Sequence, residues 1–221
     1  MNLKSFLKNV LHKSGFDVVR YPTIPFDVRR MKLLLYLNFL FGKLQNVPGD
    51  IVECGVGKGR SFLFLSFLAY SEGKSRTLWG FDSFAGFPEP SKNDSSDRNP
   101  KKGEWSGTHP DDIVAILKHA GIPEQFIQGN TKLIPGYFEN TIQEYNGKKI
   151  ALLHIDADLY DSYVVVLKKL FPFVSKGGIV LFDEYNEARW PGAKQAVDEF
   201  LKENPYTLEK VPFAEKYFIV K

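Results

Sequence analysis

Ala151-Leu152-Leu153-His154-Ile155-Asp156-Ala157-Asp158 is an apolar run that ends in acids, and Gly178-Ile179-Val180-Leu181-Phe182-Asp183-Glu184-Tyr185 repeats the pattern further along. Each run reads as a strand buried on both faces. Tyr160 to Phe171, between them, reads as a helix. A single-helix crossover makes the two strands parallel neighbours, about 4.8 Å apart. Four carboxylates, Asp156, Asp158, Asp183 and Glu184, then share the carboxyl edge of one sheet. Charge gathered there calls for a cation, and oxygen ligands suit a hard ion such as Mg²⁺ or Mn²⁺. Asp156, Asp183 and Glu184 are the candidate ligands. Asp158 either joins them or stands beside the ion as a general base. Asp158 and Asp161 also lie near the start of the helix at Tyr160, where one of them can cap it. Capping does not account for all four acids.

Outward from this pair the pattern alternates. Asp50 to Cys54, Thr77 to Phe81 and Tyr217 to Val220 read as strands, with a weaker one over Gln125 to Gln128. Helices are expected over Val28–Leu44, Ser61–Ser71, Asp111–Ala120 and Ala193–Asn204. Alternation of this kind predicts an α/β fold, a mostly parallel sheet flanked by helices, with ligands held outside the carboxyl ends of the strands. Residues 49–221 form the predicted catalytic domain. Residues 1–48 are a helical extension, whose stripe at Leu3, Phe6, Leu7, Val10 and Leu11 suits packing on the domain or on a second subunit. The polar stretch 89–110 has no periodicity and is too long for a plain connector, so it reads as a mobile lid or binding loop.

Glu53-Cys54-Gly55-Val56-Gly57-Lys58-Gly59-Arg60 follows the first strand and opens a helix. Its third glycine comes too early for the dinucleotide fingerprint, and no Gly-Lys-Ser/Thr closes a triphosphate loop. An acid before the glycines, with a second acid, Asp82, ending the next strand, is the pattern of class I S-adenosylmethionine enzymes. The second acid suits ribose hydroxyls. His154 lies inside its apolar run and reads as a core histidine with a satisfied hydrogen bond.

Composition sets the outer limits. The 221 residues suit one domain with a substantial core, and a net charge of +3 gives no argument for nucleic acid. A single cysteine, Cys54, excludes a disulfide framework and a cysteine zinc site. The longest apolar stretch, Leu33 to Phe41, is broken by Asn38 and too short to span a bilayer. Met1 to Val10 lacks the apolar centre of a signal peptide. The expected location is the cytoplasm.

The motifs Ile51-Val52-Glu53-Cys54-Gly55-Val56-Gly57, Gly80-Phe81-Asp82-Ser83-Phe84-Ala85-Gly86-Phe87-Pro88, Gly129-Asn130-Thr131, Leu153 to Tyr160 and Val180 to Tyr185 together resemble the macrocin O-methyltransferase (TylF/MycF) family. The resemblance covers about residues 50–200. It implies a Rossmann-like class I fold and methyl transfer from S-adenosyl-L-methionine to a sugar hydroxyl with Mg²⁺. By position it implies Asp156, Asp183 and Glu184 as metal ligands and Asp158 as base. Asp156 would also stand at the reacting centre and against the cofactor. Glu53, Gly55 and Gly57 fall on the cofactor loop, Asp82 and Ser83 on the ribose, and Gly129 and Asn130 on the adenine. One departure is that the second acidic pair, often Asp-Asp in the family, is Asp-Glu here. The acceptors implied are a small sugar, a nucleotide sugar or a glycosylated natural product, and the assembly a homo-oligomer joined through N-terminal helices. Two rivals remain: a metal-dependent glycosyltransferase built on the Asp156-x-Asp158 element, and a non-catalytic cofactor-binding scaffold.

Overall fold

The computed structural model describes residues 27–221. The expected helix over residues 2–12 lies outside them. The first described element is a helix, Val28–Lys43 (α1), capped by the Asp27 side chain on the Arg30 N–H. The chain then alternates: Asp50–Cys54 (β1), Arg60–Glu72 (α2), Leu78–Asp82 (β2), Pro110–His119 (α3), Glu124–Asn130 (α4), Thr131–Pro135 (β3), Phe138–Thr141 (α5), Ile150–Ile155 (β4), Tyr160–Leu170 (α6), Val174–Phe182 (β5), Pro191–Glu203 (α7), Glu209–Lys210 (β6) and Tyr217–Val220 (β7).

Seven strands form one sheet in the order β3-β2-β1-β4-β5-β7-β6. The first five run parallel, while β7 is antiparallel to β5 and β6 to β7. The chain leaves β1 in one direction through β2 and β3 and returns to β1's other side at β4. That reversal opens a crevice at the carboxyl ends of β1 and β4, where ligands of such sheets bind.

Side chains alternate across a strand, so each apolar run feeds two cores. Val52, Leu153, Val180 and Phe182 pack with Tyr163, Val166 and Ala196 on one face. Ile51, Leu152, Ile179 and Leu181 pack with Tyr36, Leu40 and Leu65 on the other. Both cores reach β4 and β5, which explains why those two strands carry the strongest sequence signal.

One expectation needs correction. Residues 124–130 are helical, and the third strand follows at Thr131–Pro135, paired with β2 from Leu78↔Thr131 to Asp82↔Pro135. Pro123 and Glu124 are the overlooked signal, a proline and an acid at a helix start. The strand was hidden because its outer neighbour is solvent: Thr131 to Pro135 is nowhere fully buried.

The stretch 89–110 has definite attachments. Lys92–Asp94 forms a 3₁₀ turn with a reciprocal cap between Ser91 and Asp94. Asp94 is buried and accepts the Tyr160 N–H at 2.7 Å, so this distant loop caps α6, and neither Asp158 nor Asp161 does. Gly192 leaves room for that carboxylate, since a β-carbon there would lie 2.1 Å from Asp94 Oδ1. Arg98 pairs with Glu104 and stacks over the Trp105 and Trp190 rings.

Candidate active site

The loop after β1 sets the floor. Gly55 has φ +97°, and a β-carbon there would meet the Asp156 carbonyl oxygen at 1.7 Å, so β1 and β4 can close together only over a glycine. Gly57 has φ +52° and open space where a β-carbon would stand, on the side of a cavity of about 430 Å³. That size suits a small-molecule ligand. Its walls include Gly55, Asp82, Tyr137, Trp105, Asp156 and Asp158.

Asp82 ends β2 at the cavity edge and accepts the Gly57 and Phe84 N–H groups, each at 2.7 Å, one on each oxygen. A carboxylate oxygen has a second lone pair, so both remain open to hydroxyl donors. Ser83 also lines the cavity, with its hydroxyl donating to the Gly86 carbonyl at 2.7 Å. Asp158 stands at φ +59°, a left-handed conformation that costs an aspartate about 1 kcal/mol. Burial, and then the charges of Asp156 and Asp183, push its carboxyl well above the usual range, against the pull of Arg98 and Arg189.

A second cavity, of about 670 Å³, opens on the α1 side, and Arg60, Ser61 and Asp156 belong to both. Two of its lining residues, Asp156 and Asp183, together with the fully buried His154, bring one potential ligand atom each to within 4.8 Å of one another. The alternation of β4 and β5 explains this set. His154 is the register partner of both Glu53 and Leu181, and Asp156 and Asp183 each follow two residues beyond on the same face.

Glu184, one residue beyond Asp183, is buried, and its Oε2 accepts from Tyr163 at 2.5 Å and from the Asp158 N–H at 3.4 Å. It also stands within hydrogen-bonding reach of the Asp156 carboxyl, though it is not one of the three groups that converge. Glu53 does not line the first cavity. It is buried on the α1 face and holds His154 Nδ1 at 2.8 Å, away from the first cavity. Gly129 and Asn130 precede β3 and so lie at the opposite edge of the sheet, where Asn130 donates to the Arg76 carbonyl. The residues that do follow β3 into the cavity are Tyr137, Phe138 and Glu139.

The buried cluster holds more carboxylates than cations. Burial works against a charged His154 ring, but Asp183 and Glu53 outweigh it and raise its pKa to about 10. Lys216 Nζ lies 2.5 Å from Asp183 Oδ2 and donates to the Asp183 carbonyl. Burial opposes ionisation of Asp183, yet Lys216 and His154 hold that carboxyl well below the usual range. Burial and Asp183 push Asp156 up to about 6, and burial with three neighbouring acids pushes Glu184 well above its ordinary value. His154 Nε2, 3.6 Å from Asp183 Oδ1, is buried with no hydrogen-bond partner among the described residues.

The sequence pointed to the acids but missed three groups around them: His154 as part of the converging set, Lys216 from the β6–β7 hairpin, and Tyr36, whose hydroxyl lies 3.4 Å from Asp183. Strand register carries the signal for the first. The other two arrive from distant elements. His109 caps α3 at the surface.

Sheet order and a divided pocket at the β1–β4 crevice define the class: a Rossmann-like fold of the class I methyltransferase type. The chain belongs to the macrocin O-methyltransferase (TylF) family, whose model matches residues 33–211. It is 32% identical over 163 residues to demethyldecarbamoylnovobiocin O-methyltransferase of Streptomyces niveus, covering 71% of this chain and 59% of that one. It is 28% identical over 197 residues to mycinamicin III 3''-O-methyltransferase of Micromonospora griseorubida, covering 85% and 74%. The chain thus spans less than two thirds of the first relative's length. Among solved structures, the calicheamicin methyltransferase CalS11 superposes with a TM-score of 0.79 at 27% identity, over 88% of this chain and 80% of that one. No helix among the described residues is long and apolar enough to cross a membrane.

Proposed function

We propose that this protein transfers a methyl group from S-adenosyl-L-methionine to a hydroxyl of a sugar or sugar-containing small molecule, aided by a divalent metal ion. The observation that carries the reading is the meeting of two cavities at Asp156. One has the glycine loop and free ribose-type acceptors of Asp82. The other is lined by Asp156 and Asp183, which converge with the buried His154. Family membership and the named relatives, all O-methyltransferases, support methyl transfer over the glycosyltransferase and scaffold readings.

The residues fit both absent groups. The open side of Gly57 and the unfilled lone pairs of Asp82 suit a nucleoside. The unpartnered His154 Nε2 and the acidic excess suit a cation, which would have to displace the histidine proton. S-adenosylmethionine supplies an electrophilic methyl group on sulfur. A divalent ion held by His154, Asp156 and Asp183 would lower the pKa of a bound hydroxyl.

The chain supplies the rest. Asp156 stands on the wall between the cavities and orients the acceptor. Asp158, raised by burial, takes the hydroxyl proton as the oxygen attacks. Glu184 and Tyr163 hold the strand ends that aim both acids. Walls fixed on β1, β2 and β4 keep donor and acceptor in line, which is the larger share of the rate enhancement.

The test is calorimetric titration with S-adenosylmethionine, followed by methyl transfer to a panel of sugars with and without Mg²⁺. Failure to bind the cofactor sinks the reading. Transfer that persists in EDTA and in Asp156→Ala removes the metal from it.

A further inference from the structure

The amino edge of the sheet, opposite the candidate active site, carries a further cavity of about 450 Å³. Pro48 lies there ahead of β1, Lys148 and Lys149 lie just ahead of β4, and Val174 to Lys176 open β5. Register explains how Lys176 joins them. Between the pairs Ile150↔Val174 and Leu152↔Ile179, β4 has one residue, Ala151, whereas β5 has residues 175–178. The surplus bulges, and a bulge re-aims the side chains it carries. Two glycines permit it. Gly177 stands at φ +79°, and a β-carbon on Gly178 would lie 2.8 Å from the Ser175 carbonyl oxygen.

Lys148, Lys149 and Lys176 are exposed around this cavity, and no acid is among the described residues that line it. None of the three side chains has an ion pair or hydrogen bond among the described residues. Elsewhere lysines are matched: Lys74 with Glu72, Lys118 with Glu124 and Lys194 with Asp198. The helix dipole accounts for Lys168 and Lys169 in the last turn of α6. It does not account for the three around the cavity, which lie outside helices. Cations gathered in this way repel one another until an anion joins them. The remaining lining is mostly apolar, and the Ser175 hydroxyl already donates to the Pro48 carbonyl at 2.6 Å. Phe173 is 40% exposed, although Tyr145 meets its ring edge-on with centroids 5.4 Å apart.

We propose that this cavity is a nucleotide site, in which Lys148, Lys149 and Lys176 seat the phosphates and Phe173 offers its ring to the base. Ammonium groups bind phosphate oxygens as point charges from several sides. An aromatic ring takes the flat face of a base whatever its identity. A bare phosphate would leave the apolar floor unused, and a concave seat suits a small molecule over a membrane surface. The cavity shares no lining residue with the other two, so the proposal stands apart from the methyl-transfer reading.

The experiment titrates the protein with ADP and with pyrophosphate by calorimetry, at low and at moderate salt. The paired substitution Lys148→Glu with Lys176→Glu, and separately Phe173→Ala, are titrated in the same way, with a thermal melt to confirm that each variant folds. ADP should bind at least fivefold tighter than pyrophosphate, and both should weaken as salt rises. The paired substitution should weaken ADP at least tenfold. Phe173→Ala should weaken ADP at least threefold and leave pyrophosphate within twofold of the parent. Because the first cavity also suits a nucleoside, ADP binding that is indifferent to the paired substitution places ADP elsewhere and overturns the proposal. Pyrophosphate that binds as tightly as ADP overturns it too, as does absence of saturable ADP binding. Capture on phosphatidylglycerol vesicles without ADP binding, lost in the paired variant, would give this face to a lipid surface instead.

Discussion

A β-carbon on Gly55 would occupy the space of the Asp156 carbonyl oxygen, whereas one on Gly57 would point into open volume, and the two glycines should fail differently when mutated. Gly55→Ala forces β1 and β4 apart at the site. It should cost about 3 kcal/mol of stability and lower the melting temperature visibly. Gly57→Ala should cost only about 1 kcal/mol, from its left-handed backbone, yet weaken cofactor binding at least tenfold because this loop lines the cavity. Thermal melts paired with calorimetry separate the two, and an equal loss of stability in both variants would contradict this division. Asp158→Asn removes the proposed base from a nearly unchanged shape. Turnover should fall by roughly 10²- to 10⁴-fold with cofactor affinity within threefold of the parent. A variant that keeps its turnover would shift the proton's destination to another group.

At the scale of elements, the fold depends on contacts that close distant joints. Asp94 is one of them: its carboxylate satisfies the Ser91 N–H and hydroxyl and caps α6 through Tyr160. Asp94→Ala leaves buried donors unmatched and should cost about 1–3 kcal/mol, read from a denaturant midpoint. Arg76 is another, binding the Leu44 and Gly49 carbonyls and the Glu72 carboxylate, so that it ties α1, β1 and α2 together. Burial pushes the Glu72 carboxyl up, but Arg76 and Lys74 overcome this and hold it below its ordinary value. A depressed carboxyl contributes stability above its unfolded pKa, about 4.3, and loses it as pH falls through the folded value. The melting-temperature gap between the parent and Glu72→Gln should therefore be open at pH 7 and close in acid; a gap that persists at pH 2 would contradict the assignment. These joints also mark what the sequence could show. β1, β2, β4 and β5 were legible because burial on both faces writes an unbroken apolar run. β3, at the sheet edge, was not, and Gly129 and Asn130 were misplaced with it. The acidic doublet was legible as a site, but dividing Asp183 from Glu184 required the strand's register. Asp94, Lys216 and Tyr36 act across the fold, where no local pattern announces them.

For the whole molecule, the proposed cofactor acts as a folding ligand, because its cavity is assembled from β1, β2, β4 and the 83–108 segment. At one hundred times its dissociation constant it should add about 2.7 kcal/mol, or roughly 5–10 °C in a melt of a chain this size. A shift absent at saturation would argue that the first cavity is not its seat. The expected homo-oligomer remains a proposal for sedimentation to test, since its contact was assigned to helices at the N-terminus. The partition at Arg60, Ser61 and Asp156 has a consequence in time as well as in space. Among the described residues Trp105 lines only the first cavity and α1 with the β6–β7 hairpin only the second, so the proposed donor and acceptor have separate seats. Donor and acceptor can then arrive in either order, and each spent product can leave its own seat. Initial-rate plots should intersect in a random sequential pattern, and a fresh acceptor can be seated before the used donor has departed.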